Sequence, residues 1–279
     1  PLTEKFLSEI VRKELPDAIL ANASGQTTVN LLANLQQNGV LKRLQIKIIG
    51  PNLRTFQQAT SNKEFHQLLK QANLPTNPTL MLTPDDDVIR QSASLGWPLM
   101  IRPINSIGGT GGGIAENQND LVEIFERALA ISPIHRVTVT HSLAGMKELE
   151  FEVLRDQSDQ VVALFNCEQL NPVGIHSGDS IAFAPIQTLT DSEVQTLRNA
   201  AITITRQLNV VGSCNIQFAV DPKTGQFWVL KATPRLGRTS AFAAKALGYP
   251  IAKVAALLAI GYRLDEIEHP FEAGATALV

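Results

Sequence analysis

Cysteine is scarce in this sequence, because its 279 residues include only Cys167 and Cys214. The two are far apart, and each stands in an apolar, strand-like stretch. Such spacing argues against a disulfide framework and against a metal cluster. We therefore expect two buried free thiols in a reducing cytosol.

The sequence also lacks an excess of charge of one sign and a long apolar run. Its 24 Lys and Arg against 26 Asp and Glu give a net charge of −2, and the absence of a basic run argues against nucleic acid as a partner. The longest apolar stretch, YPIAKVAALLAIGY, is interrupted by Lys253 and is too short to span a bilayer. The chain opens on the charged, helix-like PLTEKFLSEIVRKEL instead of a signal peptide. We expect a globular, cytoplasmic protein without a membrane partner.

The first 50 residues alternate between strand and helix patterns. DAILAN (17–22) predicts a buried strand, a helix runs from Gly25 to just before Gly39, and LQIKIIG (44–50) predicts a second strand. This order of elements implies a parallel sheet. Two strands make a poor sheet on their own, so we expect the N-terminal domain to be incomplete as given.

After residue 60 the pattern is that of antiparallel strands with flanking helices, so the predicted fold class is α+β with an α/β start. The predicted helices are 61–74 with Ser61 and Glu64 as a capping box, 88–95, 119–132, 191–208 with Asp191 as N-cap, and about 250–260. The predicted strands are 97–103, 135–143, 147–156, 161–169, 180–186, 213–220 and 226–232.

A glycine-rich turn follows the strand at 97–103, with five glycines between positions 108 and 113. Such a loop can bring several backbone N–H groups onto a phosphate without a side-chain clash. It matches neither G-x-G-x-x-G nor the P-loop pattern. Composition alone supports two interpretations equally, a flexible hairpin tip and an anion-binding site. Arg102, at the end of the preceding strand, favours anion binding because guanidinium pairs well with phosphate.

Two other polar features are ambiguous by themselves. The turn VGIHSGDS (173–180) contains His176, which could contact a phosphate or a base, but alone it is better explained as a surface hairpin. Glu148, Glu150 and Glu152 fall on one face of a strand, and such a row is more often solvated than catalytic. The motifs of serine hydrolases and zinc hydrolases are lacking.

Taken together, the segments IRPINSIGGTGGGIAEN, KELEFEVLRD, NPVGIHSGDSIAFAPIQTLTD, NIQFAVDPKTG and RTSAFAAKALGYPIAKVAA give the chain a specific resemblance. It resembles the amino-terminal half of the carbamoyl-phosphate synthase large subunit, whose ATP-grasp module makes carboxyphosphate from bicarbonate and ATP. The resemblance covers essentially the whole chain. It implies a partial, Rossmann-like pre-ATP-grasp domain (1–59), a lid subdomain with its preceding helix (60–140) and a large ATP-grasp subdomain (141–279).

The resemblance also implies an ATP site, most of whose positions are kept. Two family contacts are altered, because Asn62 stands where an arginine is expected and His141 where an acidic residue contacts the nucleoside. The positions that carry over to ATP binding are Arg102, Gly108, Gly109, His141, Leu143, Glu148, Gly174, Ile175, His176 and Gln217.

At the metal site this chain departs further from the family's pattern. The family holds its cations with a glutamine on one strand and with the Glu and Asn of a Glu-x-Asn-x-Arg stretch on the next. Here Gln217 and the arginine, Arg235, are kept, and Arg235 is implied to act near the transferring phosphate. Lys231 replaces the glutamate and Thr233 the asparagine. Since an ammonium cannot ligate Mg²⁺, this exchange disfavours a magnesium cofactor beside ATP.

Three hypotheses about function follow. The first is an ATP-grasp module of the carbamoyl-phosphate synthase type that binds nucleotide weakly and has impaired ligase activity. The second is an active bicarbonate-phosphorylating half with another metal arrangement, and the third is a non-catalytic regulatory or interaction module. The implied partners are other halves of the synthase and a glutamine amidotransferase subunit, in either arginine or pyrimidine biosynthesis.

Overall fold

A computed structural model describes residues 2–104 and 110–268 of the chain. The chain forms two compact units. The first consists of the residues up to Pro75 together with those from Lys147 onward, and the second is Thr76–Met146. The helices are α1 (Glu4–Glu14), α2 (Gln26–Gln37), α3 (Val40–Arg43), α4 (Leu53–Thr60), α5 (Asn62–Gln71), α6 (Val88–Ser92), α7 (Gln118–Ile131), α8 (Asp191–Gln207), α9 (Arg238–Leu247) and α10 (Ile251–Ala259). The strands are β1 (Ala18–Leu20), β2 (Lys47–Ile49), β3 (Thr79–Leu82), β4 (Leu99–Pro103), β5 (Gly113–Ala115), β6 (Val137–His141), β7 (Lys147–Arg155), β8 (Val161–Gln169), β9 (Ala182–Phe183), β10 (Gly212–Val220) and β11 (Phe227–Thr233).

The N-terminal part of the first unit contains a small parallel sheet of β1 and β2, as predicted from the strand–helix–strand order. Ile19 lies opposite Ile48, and both pack, as Leu7 of α1 does, against the buried apolar residues of this region. Gly39, just past α2, has φ +69°, a left-handed conformation that glycine adopts without steric cost. The two helices α1 and α2 thus lie over one sheet and form its core.

The larger part of the first unit is a five-stranded antiparallel sheet in the order β11-β10-β7-β8-β9. One face is apolar and packs on α8, with Phe151 and Phe218 in edge-to-face contact at 5.9 Å between ring centroids. The opposite face has an apolar half, where Phe165 packs on Phe242 of α9 at 5.2 Å, and a polar half. The polar half contains the row of glutamates on β7 and the predicted metal positions.

The second unit is a four-stranded sheet in the order β3-β6-β4-β5, with α7 packed against it. Leu121, Phe125 and Ala128 of α7 contact the buried residues Leu99 and Ile101 of β4 within one core cluster. The apolar spacing of the predicted helix at 119–132 is therefore used to cover this sheet. Gly108 and Gly109 of the glycine-rich turn lie outside the described residues, which resume at residue 110.

Several elements differ from the prediction. Helices α3, α4 and α9 and strands β3 and β5 were not expected, and the strand expected at 180–186 is reduced to β9, two residues long. The N-cap of α8 is Thr190 and not Asp191: the Thr190 side chain accepts from Glu193 N–H, and the Glu193 carboxylate accepts from Thr190 N–H. Ser61 caps α5 as predicted by accepting from Glu64 N–H, but the other half of the predicted capping box does not form, because Ser61 N–H donates to the Gln57 carbonyl and the Glu64 carboxylate pairs with Arg54.

Cys167 and Cys214 are both buried free thiols, as predicted. Burial raises the pKa of each thiol above its ordinary value. Within residues 2–104 and 110–268, no single helix is long and apolar enough to cross a membrane. The pair α9 and α10 would suffice together by length and composition, but it is bent by 115°.

Candidate functional site

The row of three glutamates on β7 is buried, which corrects the expectation of a solvated row. Glu148 is 7% exposed, and Glu150 and Glu152 are fully buried. The reason is α9, the helix that was not expected: its first turn lies over this half of the sheet and covers the carboxylates with Thr239 and Ser240. The row is therefore a buried cluster of charge with its own polar partners.

Glu150 is held by hydrogen bonds from several directions. Its Oε1 accepts from Gln169 Nε2 at 2.8 Å and lies 3.5 Å from Arg238 Nη2, while its Oε2 accepts from Asn215 Nδ2 at 3.0 Å and from the Thr239 hydroxyl. A carboxylate has about four lone-pair sites, so this set nearly saturates it. Glu150 is therefore a fixed negative charge with little capacity left for another ligand.

Glu152 is less completely satisfied. Its Oε1 accepts from the hydroxyls of Ser213 and Ser240, the latter at 2.7 Å, whereas Oε2 has no partner among the described residues. Burial raises the pKa of Glu152 to about 7. Burial and the nearby charge of Glu150 likewise raise the pKa of Glu148 to about 7, against an opposing effect of Arg238. Two of the three carboxyls thus change protonation near neutral pH.

The predicted metal positions lie side by side on this face. Gln217 of β10 lies between Glu150 of β7 on one side and Lys231 of β11 on the other. Two residues earlier on β10, Asn215 lies opposite Thr233 of β11. Residues directly opposite in antiparallel strands point to the same face. Gln217 is half-buried, and the exposed Lys231 makes no ion pair with the described part of the chain.

This donor set does not fit Mg²⁺, which prefers carboxylate and other oxygen ligands. Gln217 offers one amide oxygen, Lys231 offers only donors, and Glu150 is already nearly saturated. Within the described ranges, no group of three or more His, Cys, Asp or Glu side chains is placed to hold a metal ion. The charge at the position of Lys231 is the reverse of what a divalent cation needs.

Arg235 lies directly after this row in a tight turn. Its backbone N–H donates to the Thr233 carbonyl at 2.9 Å, and its guanidinium donates to the Leu236 carbonyl at 3.3 Å. The side chain is half-buried. The turn fixes the backbone of Arg235 two residues beyond Thr233, at the end of the polar ladder.

The Gly174–Ile175–His176 turn is exposed and is ordered by local bonds. Gly174 has φ +113°, and His176 Nδ1 accepts from Gly178 N–H at 3.0 Å, which assigns the proton of a neutral ring to Nε2. A Cβ atom at Gly178 would lie 2.6 Å from the His176 ring and 3.2 Å from the Arg238 guanidinium. The turn therefore lies against Arg238, the arginine that faces Glu150.

The remaining predicted residues belong to other parts of the molecule. In the second unit, Arg102 is exposed on β4 and Leu143 is buried just past β6. His141 is half-exposed at the end of β6, with Nδ1 3.3 Å from the Gly96 carbonyl. Asn62, in the first unit, is the exposed first residue of α5.

The sequence prediction missed several partners of the glutamates. Their sequence signal was weak, because each is an ordinary polar residue whose role depends on the register of distant strands or on α9. Gly237 and Gly248, which flank α9, could have indicated that helix. The missed partners are Gln169, Ser213, Asn215, Arg238, Thr239 and Ser240.

Two family descriptions match the chain in succession. Residues 1–58 match the carbamoyl phosphate synthase preATP-grasp domain, and residues 61–267 match the carbamoyl-phosphate synthase L chain, ATP binding domain. The chain is 44% identical over 270 residues to the arginine-specific carbamoyl phosphate synthase large chain of Bacillus subtilis, and 45% identical over 269 residues to the large chain of Clostridium acetobutylicum. These matches cover 97% and 96% of the chain but only 26% and 25% of the two relatives. The chain thus spans about a quarter of their length.

Solved structures with a similar fold include biotin carboxylases. That of Campylobacter jejuni has a TM-score of 0.77 at 18% identity, and the biotin carboxylase domain of Hydrogenobacter thermophilus 2-oxoglutarate carboxylase has 0.76 at 18%. Each match covers 94% of this chain and 58% of the other. At this identity the likeness shows the fold, an α+β ATP-grasp fold. The two family matches and the two large-chain relatives show that the chain belongs to the carbamoyl-phosphate synthase large-chain family.

Proposed function

We propose that this chain is an ATP-grasp module of the carbamoyl-phosphate synthase type that binds nucleotide weakly and phosphorylates bicarbonate poorly. The observation that carries the proposal is Lys231, whose ammonium faces Gln217 on the polar face of the sheet. The family reaction is transfer of the ATP γ-phosphoryl group to bicarbonate, and the Hydrogenobacter neighbour was solved with MgADP, ADP and bicarbonate. The proposal concerns what this chain retains of that chemistry.

Electrostatics supports impaired transfer. A unit charge pair at ~4 Å is worth roughly 4 kcal/mol at an effective dielectric of 20, so a cation beside Lys231 is strongly disfavoured. In-line phosphoryl transfer relies on metal to neutralise charge on the transferring group. Without it, an ammonium can bind phosphate oxygens as a point charge but does not clamp both the attacking and the leaving oxygen.

The chain's own residues retain part of the binding machinery. The Lys231 ammonium and the Arg235 guanidinium supply positive charge for phosphate oxygens, and Glu150 holds Arg238 in place. Asn62 and His141 remove two contacts that the family makes with nucleotide, which supports weak affinity. A triphosphate would then bind with little dependence on magnesium.

A working bicarbonate-phosphorylating half is the second candidate. Gln217, Arg235 and Glu148 are retained at their family positions, and this favours it. In either case the partners we propose are the remaining parts of a carbamoyl-phosphate synthase and its glutamine amidotransferase subunit. The name of the Bacillus relative points to arginine synthesis.

The test compares the parent chain with the double variant Lys231→Glu, Thr233→Asn in calorimetric titrations with ATP, with and without magnesium. We expect weak, magnesium-independent binding in the parent and magnesium-dependent binding in the double variant. Lys223→Glu makes the same charge change on the exposed turn between β10 and β11, and should behave as the parent does.

Phosphate release stimulated by bicarbonate is measured on the same three proteins. If the parent turns over Mg-ATP with bicarbonate and the double variant does no better, the impaired-site proposal is wrong and the second candidate is correct. If calorimetry at millimolar ATP detects no heat in any variant, the chain is an interaction module instead.

A further inference from the structure

A stretch of the N-terminal region has only positive charge. Residues 18–63 contain no aspartate or glutamate, although the whole chain has a net charge of −2. The basic residues of this stretch are Lys42, Arg43, Lys47, Arg54 and Lys63. An excess of positive charge of this kind attracts an anionic partner.

The same region has an open sheet edge. Strand β2 pairs with β1 alone among the described residues: Lys47 N–H donates to the Asp17 carbonyl at 3.1 Å, and the Ile49 carbonyl accepts from Ala21 N–H at 3.2 Å. In a parallel ladder, alternate residues bond to the neighbouring strand. The N–H and C=O of Ile48 therefore point to the other edge, where an added strand could pair with them.

A groove of about 690 Å³ runs beside that edge. Leu41, Ile46, Ile48 and Leu53 give it an apolar lining, and no aromatic or acidic residue contributes to it. Its wall also includes one residue from the end of α2, Gln36. The groove therefore offers apolar surface for side chains directly next to the free peptide groups of β2.

Three cations lie around the groove: Lys42, Lys47 and Arg54. Arg54 is paired with Glu64 at 2.8 Å, whereas Lys42 and Lys47 are exposed and have no ion pair with the part of the chain that the structure describes. The open strand edge, the apolar groove and the two free ammonium groups each call for a matching property in a ligand. A ligand must be extended, partly apolar and negatively charged.

We propose that this groove docks an extended acidic segment of a partner protein, which adds to β2 as a further strand. Main-chain hydrogen bonds to Ile48 would give affinity, and apolar side chains on alternate positions would fill the groove. Aspartate or glutamate on the intervening positions would meet Lys42 and Lys47. Nucleic acid fits less well, because the groove lacks the aromatic side chains on which bases stack.

The opposing explanation is that Lys42 and Lys47 guard the edge. Natural proteins place lysine on edge strands to prevent edge-to-edge pairing. A guarded edge would select no peptide, whereas a docking edge selects acidic ones. The two explanations therefore differ in what the surface binds.

A random decapeptide display library selected on the whole chain tests the proposal. We expect enrichment of peptides in which acidic and β-branched residues alternate. The double variant Lys42→Glu, Lys47→Glu should weaken binding of the selected peptides by at least tenfold. Lys63→Glu changes charge in the same stretch without lining the groove, and it should alter affinity by less than twofold.

Backbone pairing is tested with a selected peptide in which alternate amides are N-methylated. Methylation of the amides that face β2 should abolish binding, and methylation of the other set should leave it unchanged. The proposal is overturned by a selection without acidic enrichment, by binding that survives the double variant, or by equal tolerance of both methylation sets. Self-association of the chain through this edge, removed by the double variant in sedimentation experiments, would instead make the occupant a second copy.

Discussion

The two faces of the five-stranded sheet are built from alternate residues of the same strands, yet one is apolar and the other is partly polar. Leu149, Phe151 and Val153 point to the face that packs on α8, whereas Glu148, Glu150 and Glu152 point to the face that α9 partly covers. Both faces are buried along β7. Polarity of a strand face therefore does not indicate exposure; the helix that lies over it does.

The chemistry of the two helices matches the face that each covers. Helix α8 presents Leu197, Ala201 and Ile204 to a dry core, and the first turn of α9 presents Thr239 and Ser240 hydroxyls to the carboxylates. On the apolar face, the removal of apolar area from water stabilises the fold. On the polar face, a buried charge destabilises the fold unless it is hydrogen-bonded or paired. The two faces should consequently respond differently to substitution and to pH.

The largest effect is expected on the apolar face. Phe151→Ala removes a fully buried ring that packs edge-to-face on Phe218, and it should lower the free energy of unfolding by about 3–5 kcal/mol. Phe6→Ala, on the exposed side of α1, makes the same chemical change where little is buried and should cost less than about 1 kcal/mol. Urea unfolding of both variants checks the contrast. Equal losses would mean that the sheet face does not form the main core.

The polar face should instead make stability depend on pH. The pKa of Glu152 is raised by burial to about 7 from 4.5, so the folded state holds a proton that the unfolded state releases. That contribution is fully present below pH 4.5 and is lost as pH rises to about 7. It amounts to at most about 3 kcal/mol. Because the pKa of Glu148 is also raised to about 7, Glu152→Gln should lessen the fall of the urea midpoint between pH 4.5 and 7, and the double variant Glu148→Gln, Glu152→Gln should flatten it. A slope that persists unchanged in the double variant would assign it to other groups.

Much of this contrast could not be predicted from the sequence. The alternation of KELEFEV correctly indicated a strand with two chemically distinct faces, and the parallel β1–β2 pair and the buried thiols were also predicted. These features depend on local patterns of period two or on neighbouring elements. The burial of the glutamates depends on a helix that follows them by more than 80 residues, so no local pattern reports it.

The candidate site shows the same limit. The resemblance to the family identified Gln217, Lys231 and Thr233, and register places them on one face with Glu150. It gave no information on Asn215 or Gln169, because their contacts follow from cross-strand register and from side-chain rotamers. That these positions form the nucleotide and metal site stays a prediction from the sequence, whereas their common face and the near-saturation of Glu150 required the structure.

A smaller effect should separate neighbouring carboxylates within the polar face. Glu150 accepts three side-chain hydrogen bonds and faces Arg238; Glu150→Gln replaces one acceptor oxygen with an amide donor and removes the charge, so it should cost about 2 kcal/mol. Glu148→Gln is the matched control, since Glu148 accepts no side-chain hydrogen bond from the described residues and should cost less than about 1 kcal/mol. Thermal and urea unfolding at pH 8 compare them. The reverse order would show that Glu148 and not Glu150 is the anchored charge.

The smallest change in stability is expected from substitutions at the first residues of the two covering helices, α8 and α9. The N-cap of α8 is self-contained, because Thr190 and Glu193 bond reciprocally, whereas the Ser240 hydroxyl accepts from Gly237 N–H and donates to Glu152 of the sheet. Thr190→Ala and Ser240→Ala should each cost about 1 kcal/mol. Only Ser240→Ala also removes a bond that favours ionised Glu152, so it should raise that pKa further. The loss of stability with rising pH would then extend to higher pH in Ser240→Ala and stay unchanged in Thr190→Ala. Identical pH profiles for the two variants would show that the start of α9 is capped as locally as that of α8 and does not tune the buried carboxyl.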